Sequence, residues 1–232
     1  IGDILTTAPI DIGTVGGSLS ATNTSSGDVY LSTGALTIGG TGAAISQYNG
    51  GVLRIDASGN IVIDDDVNVG AAGTIVLDST GTITLNDGVE VLTAGTVELG
   101  ANPNPSAPTS IGASGTPVLT AATALLDASS SAGDIWLSNT GNVNFSASAT
   151  DGVVDLLNSG TVNTAAGGVS ASGTGTETVR IEASGDITVD ASVSGEDGVT
   201  VLTSGAGATL THSAGTIDGT DATVLLQADK MA

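Results

Sequence analysis

Short stretches that alternate apolar and small polar residues recur along this chain, and most of them follow a glycine. Residues 74–77 and 82–85 show the pattern in its clearest form. Alternation with a period of two is typical of β-strands that bury one face. We expect the following side chains to fill the interior: Leu53, Ile55, Ile61, Ile63, Ile75, Leu77, Ile83 and Leu85. On the same register Arg54, Thr74, Val76, Tyr30 and Trp136 face outward.

The stretches repeat at steps of about 20 to 25 residues, a spacing typical of β-solenoids. The predicted repeats open at Asp3, Asp28, Val52, Thr74, Val89, Asp134, Val153, Val179, Val199 and Thr223, with a weak copy near Val118. This pattern predicts an all-β parallel β-helix of about ten turns. It treats residues 1–232 as a single β-solenoid. Tandem immunoglobulin-like β-sandwiches are the alternative, although the chain has few of the aromatic residues that their cores use.

A proline-rich segment interrupts the repeats at residues 101–117, which hold four of the five prolines. Proline cannot donate a hydrogen bond to a strand ladder, so the segment is either a loop that projects from the solenoid or a domain boundary. The stretch 120–127 just after it is compatible with a helix or with a strand of a weak turn.

The charge of the chain limits its partners. It carries 24 Asp and Glu against 3 Lys and Arg, for a formal net charge of −21. Such a chain is not expected to bind nucleic acid, because that binding relies on cationic side chains that release counterions. No apolar run approaches the length of about 18 to 20 residues that spans a bilayer, so membrane insertion is not expected. The absence of cysteine excludes disulfides and thiolate metal sites.

The repeats at 72–85 and 183–189 resemble the β-helical stalks of filamentous-haemagglutinin-like exoproteins and other giant bacterial surface adhesins. The resemblance covers most of the chain. It implies a right-handed parallel β-helix that is secreted and stays at the bacterial cell surface. It also implies a role as a spacer, an adhesin or a filament component.

Acidic residues gather at several predicted turns, where carboxylate and backbone oxygens are able to converge on Ca²⁺. The candidate calcium ligands are Asp64, Asp65, Asp66, Asp87, Glu90, Glu196, Asp197, Asp218 and Asp221. Neither the EF-hand spacing nor the glycine-rich nonapeptide of calcium β-rolls is present. Solvated turns without a metal are the alternative. Calcium is the one cofactor that the sequence suggests.

The sequence offers little material for catalysis. His212 is the single histidine, which argues against a histidine-based nucleophile or metal site and favours a surface position. The only arginines are Arg54 and Arg180. Arg54 with the Asp64-Asp65-Asp66 cluster would suit a β-helical polysaccharide lyase, whereas the simpler expectation is that each arginine pairs with carboxylates on adjacent turns.

The sequence therefore predicts a non-catalytic structural or adhesive module of an extracellular bacterial surface or filament-forming protein. Its expected partners are identical copies stacked end to end, or neighbouring turns of a longer chain. A cell-surface glycan or protein is a further expected ligand. The alternatives are a β-helical carbohydrate-active enzyme and an adhesin tip that binds a ligand through the loop at 101–117.

Overall fold

The computed structural model describes residues 10–11, 18–19, 22–23, 27–40, 45–47, 50–100, 107–220 and 222–232. In these residues the chain is all-β, with strands and turns and no helix. None of these residues therefore forms a helix long and apolar enough to cross a bilayer. The predicted repeat at Asp3 and the candidate ligand Asp221 lie outside the described residues.

The described strands are 2 to 13 residues long, and most are separated by tight corners. The first are β1 Ile10–Asp11, β2 Ser18–Leu19, β3 Thr22–Asn23, β4 Val29–Thr33, β5 Leu36–Ile38, β6 Ile45–Gln47, β7 Val52–Ala57, β8 Ile61–Ile63, β9 Val67–Ser79 and β10 Thr82–Leu85. The middle group is β11 Val91–Leu99, β12 Ser110–Ile111, β13 Val118–Ser130, β14 Ile135–Asn139, β15 Val143–Thr150, β16 Val154–Asn158 and β17 Val162–Ser172. The last are β18 Thr178–Ala183, β19 Ile187–Val189, β20 Val193–Gly195, β21 Gly198–Thr203, β22 Thr209–His212, β23 Ile217–Asp218, β24 Val224–Gln227 and β25 Lys230–Met231.

Each strand pairs in parallel with its counterpart in the next turn. One ladder joins Leu36, Ile61, Ile83, Ile111, Ile135, Val154, Val179, Val199 and Val224. The stack forms a β-solenoid of about eight turns, which confirms the predicted parallel β-helix. The sequence pattern predicted about ten turns. Two of the predicted repeats, those that open at Thr74 and Val89, belong to the same turn, because Thr74 pairs with Thr96, which comes after Val89.

The interior of the solenoid is a continuous aliphatic core. The predicted interior residues are all buried, with an exposed fraction of at most 7% for Leu85. The prediction that Val76 is exposed is wrong. Val76 faces outward, yet only 6% of its surface is accessible. It lies between Arg54 and Glu98 in the outer ladder, so a long side chain flanks it in each neighbouring turn. Arg54 and Thr74 are half-buried.

Two features of the core are not expected from the aliphatic pattern. Phe145 is fully buried, where it stacks between Leu126 and the smaller Thr164. A buried polar ladder lies along one corner: Thr120 donates to Asn139 at 2.8 Å, and Asn139 donates to Asn158 at 2.8 Å. Because the amide of Asn139 bonds side chains in the turns on either side of it, the ladder fixes the register of three successive turns.

Aspartate and asparagine side chains join successive turns at their corners. Oδ1 of Asp28 accepts a hydrogen bond from the backbone N–H of Val52, one turn later, at 2.9 Å. The same bond recurs in the pairs Asn60–Thr82, Asp66–Val91, Asp134–Val153, Asn142–Thr161, Asp151–Thr174 and Asp186–Thr209. These acceptors satisfy backbone N–H groups where the strand ladder breaks. A share of the acidic residues therefore holds neighbouring turns together.

Strands on both sides of the proline-rich segment pair directly with one another. β11, before the segment, pairs with β13, after it, and β12, inside the segment, pairs with β10 and β14. Residues 113–116 form a small antiparallel turn between β12 and β13. The stretch 120–127 belongs to β13, so it is a strand and not a helix.

Changing Leu77 to Asp is expected to lower the free energy of unfolding by about 4 kcal/mol or more, because it buries an unpaired carboxylate in an aliphatic stack. Thr84→Asp places the same group on the outer face and serves as the control. Urea unfolding followed by circular dichroism measures both. Equal midpoints for the two variants would show that the assigned facing is wrong.

Changing Asp28 to Ala removes the corner bond to Val52 and is expected to cost about 1 kcal/mol of stability. Asp28→Asn keeps the acceptor, as Asn60 and Asn142 do at equivalent corners, and is expected to stay within about 0.5 kcal/mol of the parent. Thermal unfolding at one pH compares the three proteins. A loss of similar size in both variants would mean that charge, and not the corner hydrogen bond, matters at this position.

Candidate functional site

The acidic cluster after β8 is divided among different partners. Asp64 accepts a hydrogen bond from the side-chain amide of Asn86. Asp65 accepts from the backbone N–H of Gly40 at 3.1 Å, one turn earlier. Asp66 caps the corner of the following turn through Val91 at 2.9 Å. The three carboxylates therefore act as links between turns.

The remaining predicted ligands are also dispersed. Asp197 accepts from the backbone N–H of Glu177 at 3.0 Å, and Asp218 accepts from Thr220 at 2.9 Å within its own turn. Glu196 is exposed. Within the part of the chain that the structure describes, no three acidic or histidine side chains form a group able to hold a metal ion. Calcium binding by these turns stays a prediction.

Asp87 and Glu90 lie three residues apart at one corner of the solenoid. Gly88 lies between them with a left-handed φ of 83°, a backbone conformation that favours glycine and that turns the chain sharply. Glu90 is only 5% exposed, and its Oε2 has no hydrogen-bond partner among the described residues. Burial raises the pKa of Glu90, and the contact with Asp87 raises it further. Two carboxylates are both acceptors, so this contact becomes a hydrogen bond only when one of them is protonated.

Arg54 is held in a compact cluster on the outer face of β7. Nε lies 2.8 Å from Asp56 Oδ1, and Nη2 lies 2.9 Å from Asp78 Oδ2 in the next turn. The guanidinium also stacks over the ring of Tyr30 at 5.2 Å, and Tyr30 in turn donates to Asp56. These contacts confirm that Arg54 pairs with carboxylates of its own and the adjacent turn. They make it a structural clamp between turns.

Arg180 makes similar ion pairs in a more open setting. Nη1 lies 3.1 Å from Asp155 in the preceding turn, and Nη2 pairs with Glu182 on the same strand. The Arg180 side chain is 41% exposed, against 23% for Arg54. Burial raises the pKa of Asp155, and the Arg180 guanidinium opposes that rise. Arg180 therefore has more room to contact a ligand than Arg54 has.

A groove of about 340 Å³ surrounds Arg180 on the outer face of β14, β16, β18, β21 and β24. The parallel pairing aligns five outward residues in one row across the turns: Trp136, Asp155, Arg180, Thr200 and Leu225. Trp136 donates from Nε1 to Asp134 at 3.1 Å. The side chain of Asp197 also lines the groove. The row places an aromatic ring, an ion pair, a hydroxyl group and an apolar side chain next to one another.

The sequence contained only part of the signal for this groove. Trp136 and Arg180 were identifiable as outward residues from their strands. The alignment of these two residues in one row could not be predicted, because it depends on which strands pair between turns. His212 is exposed, as predicted, and its Nε2 lies 3.2 Å from the carbonyl oxygen of Gly215.

Glu90→Gln is expected to raise the melting temperature at pH 7 and to have little effect near pH 4. The raised pKa means that the folded state favours protonated Glu90, so this stabilisation is present below the ordinary carboxyl pKa and is lost as the pH rises through the raised value. Gln stays neutral throughout.

Asp190→Asn removes one charge at an exposed position and controls for general relief of repulsion. Melting curves from pH 4 to 8 compare both variants with the parent. A similar gain in both variants at pH 7 would contradict a specific role for the Glu90 site.

The comparisons with known proteins add no assignment to this site. The chain matches no protein-family model, no curated protein and no solved structure. The resemblance to adhesin stalks therefore remains an expectation from the repeats. The function has to be argued from the fold and from the outer surface.

Proposed function

We propose that this chain is a structural and adhesive module of a bacterial surface or filament-forming protein, located outside the cell. Its main work is mechanical and needs no catalysis. One observation carries the proposal: an aliphatic ladder runs from turn to turn through the stack, from Leu36 to Val224, without a break. A structure of this kind grows in length by adding turns and keeps the same cross-section and stiffness.

The last described turn supports assembly through its end. Val224 and Leu226 continue the buried ladders of Val199 and Val201, yet they are 39% and 37% exposed. Met231 continues the ladder of Leu210 and is 59% exposed. The outer edges of β24 and β25 make no further strand pair among the described residues. Apolar side chains beside open strand edges form a template for another turn.

We infer that a second copy of the chain stacks on this end face. The charge of the molecule favours this geometry over side-by-side contact. Its acidic surface repels other copies along the sides, with a net charge of −21 per chain. The three apolar residues of the end face carry no charge. In a longer chain, further turns of the same solenoid would take the place of the second copy.

A carbohydrate-active β-helical enzyme is the second candidate function. The observation in its favour is the groove in which Arg180 lies beside Asp155 and Asp197. This is the combination of a basic residue and carboxylates on one face that such an enzyme requires. Release of reducing ends from a bound polysaccharide would distinguish it from a scaffold.

Leu226→Glu is expected to abolish end-to-end association, because it places a charge in the apolar end face. Leu157→Glu is the matched control, since Leu157 is also an exposed leucine, at 47% against 37% for Leu226, and it lies on an inner turn. Sedimentation velocity over a range of concentrations follows the assembly. The parent and Leu157→Glu should form larger species as concentration rises, and Leu226→Glu should not. A parent protein that stays monomeric at every concentration would overturn the stacking proposal.

A further inference from the structure

The row of residues across the groove has the composition of a site for an amphipathic ligand. Trp136 and Leu225 offer apolar surface at its two ends, and Asp155, Arg180 and Thr200 offer hydrogen-bonding groups between them. Neighbouring parallel strands are about 4.8 Å apart, so four ladder steps make the row about 19 Å long. The site is therefore elongated and shallow, and it suits an extended chain better than a compact small molecule.

The polar groups suit a ligand that carries many hydroxyl groups. Arg180 and Asp155 present paired donors and acceptors that match two adjacent hydroxyl groups. Among the described residues, Nε of Arg180 has no hydrogen-bond partner, so one donor is available without breaking an ion pair. The apolar faces of sugar rings pack on an indole side chain such as that of Trp136. A linear oligosaccharide combines these two properties.

The negative charge around the groove favours neutral saccharides over anionic ones. Arg180 is the one cation among the residues that line the groove, it pairs with Asp155 and Glu182, and Asp197 also lines the groove of this strongly acidic chain. Like charges disfavour a ligand with carboxylate or sulfate groups. We propose that the groove binds a neutral oligosaccharide along the row from Trp136 to Leu225. This proposal goes beyond the mechanical role and does not depend on end-to-end stacking.

Arg54 provides the internal comparison. It combines a guanidinium, carboxylates and an aromatic ring as Arg180 does, but Tyr30 already occupies the face of its guanidinium. It lies outside the groove that the structure describes around Arg180. Loss of Arg54 is therefore expected to affect stability, and loss of Arg180 is expected to affect binding as well.

The single tryptophan of the chain makes the experiment direct, because its fluorescence reports on the groove alone. The protein is titrated with cellohexaose, xylohexaose, mannohexaose and chitohexaose, and with oligogalacturonate as the anionic comparison. The proposal expects a saturable change in tryptophan emission with at least one neutral oligosaccharide and none with oligogalacturonate. No response to any neutral oligosaccharide, or a stronger response to oligogalacturonate, would overturn it.

Two pairs of variants locate the binding. Arg180→Gln is expected to weaken binding about tenfold, equivalent to about 1.4 kcal/mol, while Arg54→Gln leaves affinity unchanged. Thr200→Tyr fills the groove without removing an ion pair and is expected to abolish binding. Thr84→Tyr makes the same change at an outward position outside the groove and is expected to have no effect.

Circular dichroism shows which variants are folded, and Thr200→Tyr keeps the test valid if Arg180→Gln unfolds. Equal affinity of Thr200→Tyr and the parent would place the ligand elsewhere and overturn the proposal. A reducing-end assay in the same mixtures separates binding from cleavage. Cleavage of the bound oligosaccharide would support the groove as its site and would contradict the non-catalytic role.

Discussion

Parallel hydrogen bonding between turns is the constraint on which the rest of this structure depends. The backbone donors and acceptors of each strand point along the stack, so every turn must lie in register with the turns before and after it. A shift by one residue would turn a whole strand inside out. Columns of like residues follow from this requirement, and so does the repeated use of aspartate and asparagine at the corners.

The same constraint shapes the electrostatics of the outer surface. Outward residues are stacked at the strand spacing, so acidic residues tend to meet acidic residues of the next turn. Asp56 and Asp78 are such neighbours, and Arg54 lies between them. Arg180 likewise bridges Asp155 and Glu182. Glu90 lies in a different environment, because burial and the neighbouring carboxyl group of Asp87 both raise its pKa.

The period-two pattern was sufficient to predict the interior residues, and the excess of acidic residues was sufficient to predict that the arginines pair with carboxylates. It could not show which strands stack. Asp28 and Asp134 were both predicted to open a repeat, but the strands that follow them, β4 and β14, belong to different ladders. Each of these aspartates lies at a corner and reaches the next turn, and corners occur on more than one face. The groove around Arg180 depends on stacking in the same way, and so does the asparagine ladder.

The distance between turns is the most direct test of the stacked architecture. The chain lacks cysteine, so two can be introduced and spin-labelled at chosen outward positions. Thr84 and Thr200 are separated by five ladder steps, and Thr37 and Thr200 by seven. At about 4.8 Å per step, pulsed electron paramagnetic resonance should give backbone separations of about 24 Å and 34 Å. Distances that do not increase by about 10 Å between the two pairs would contradict a single continuous stack.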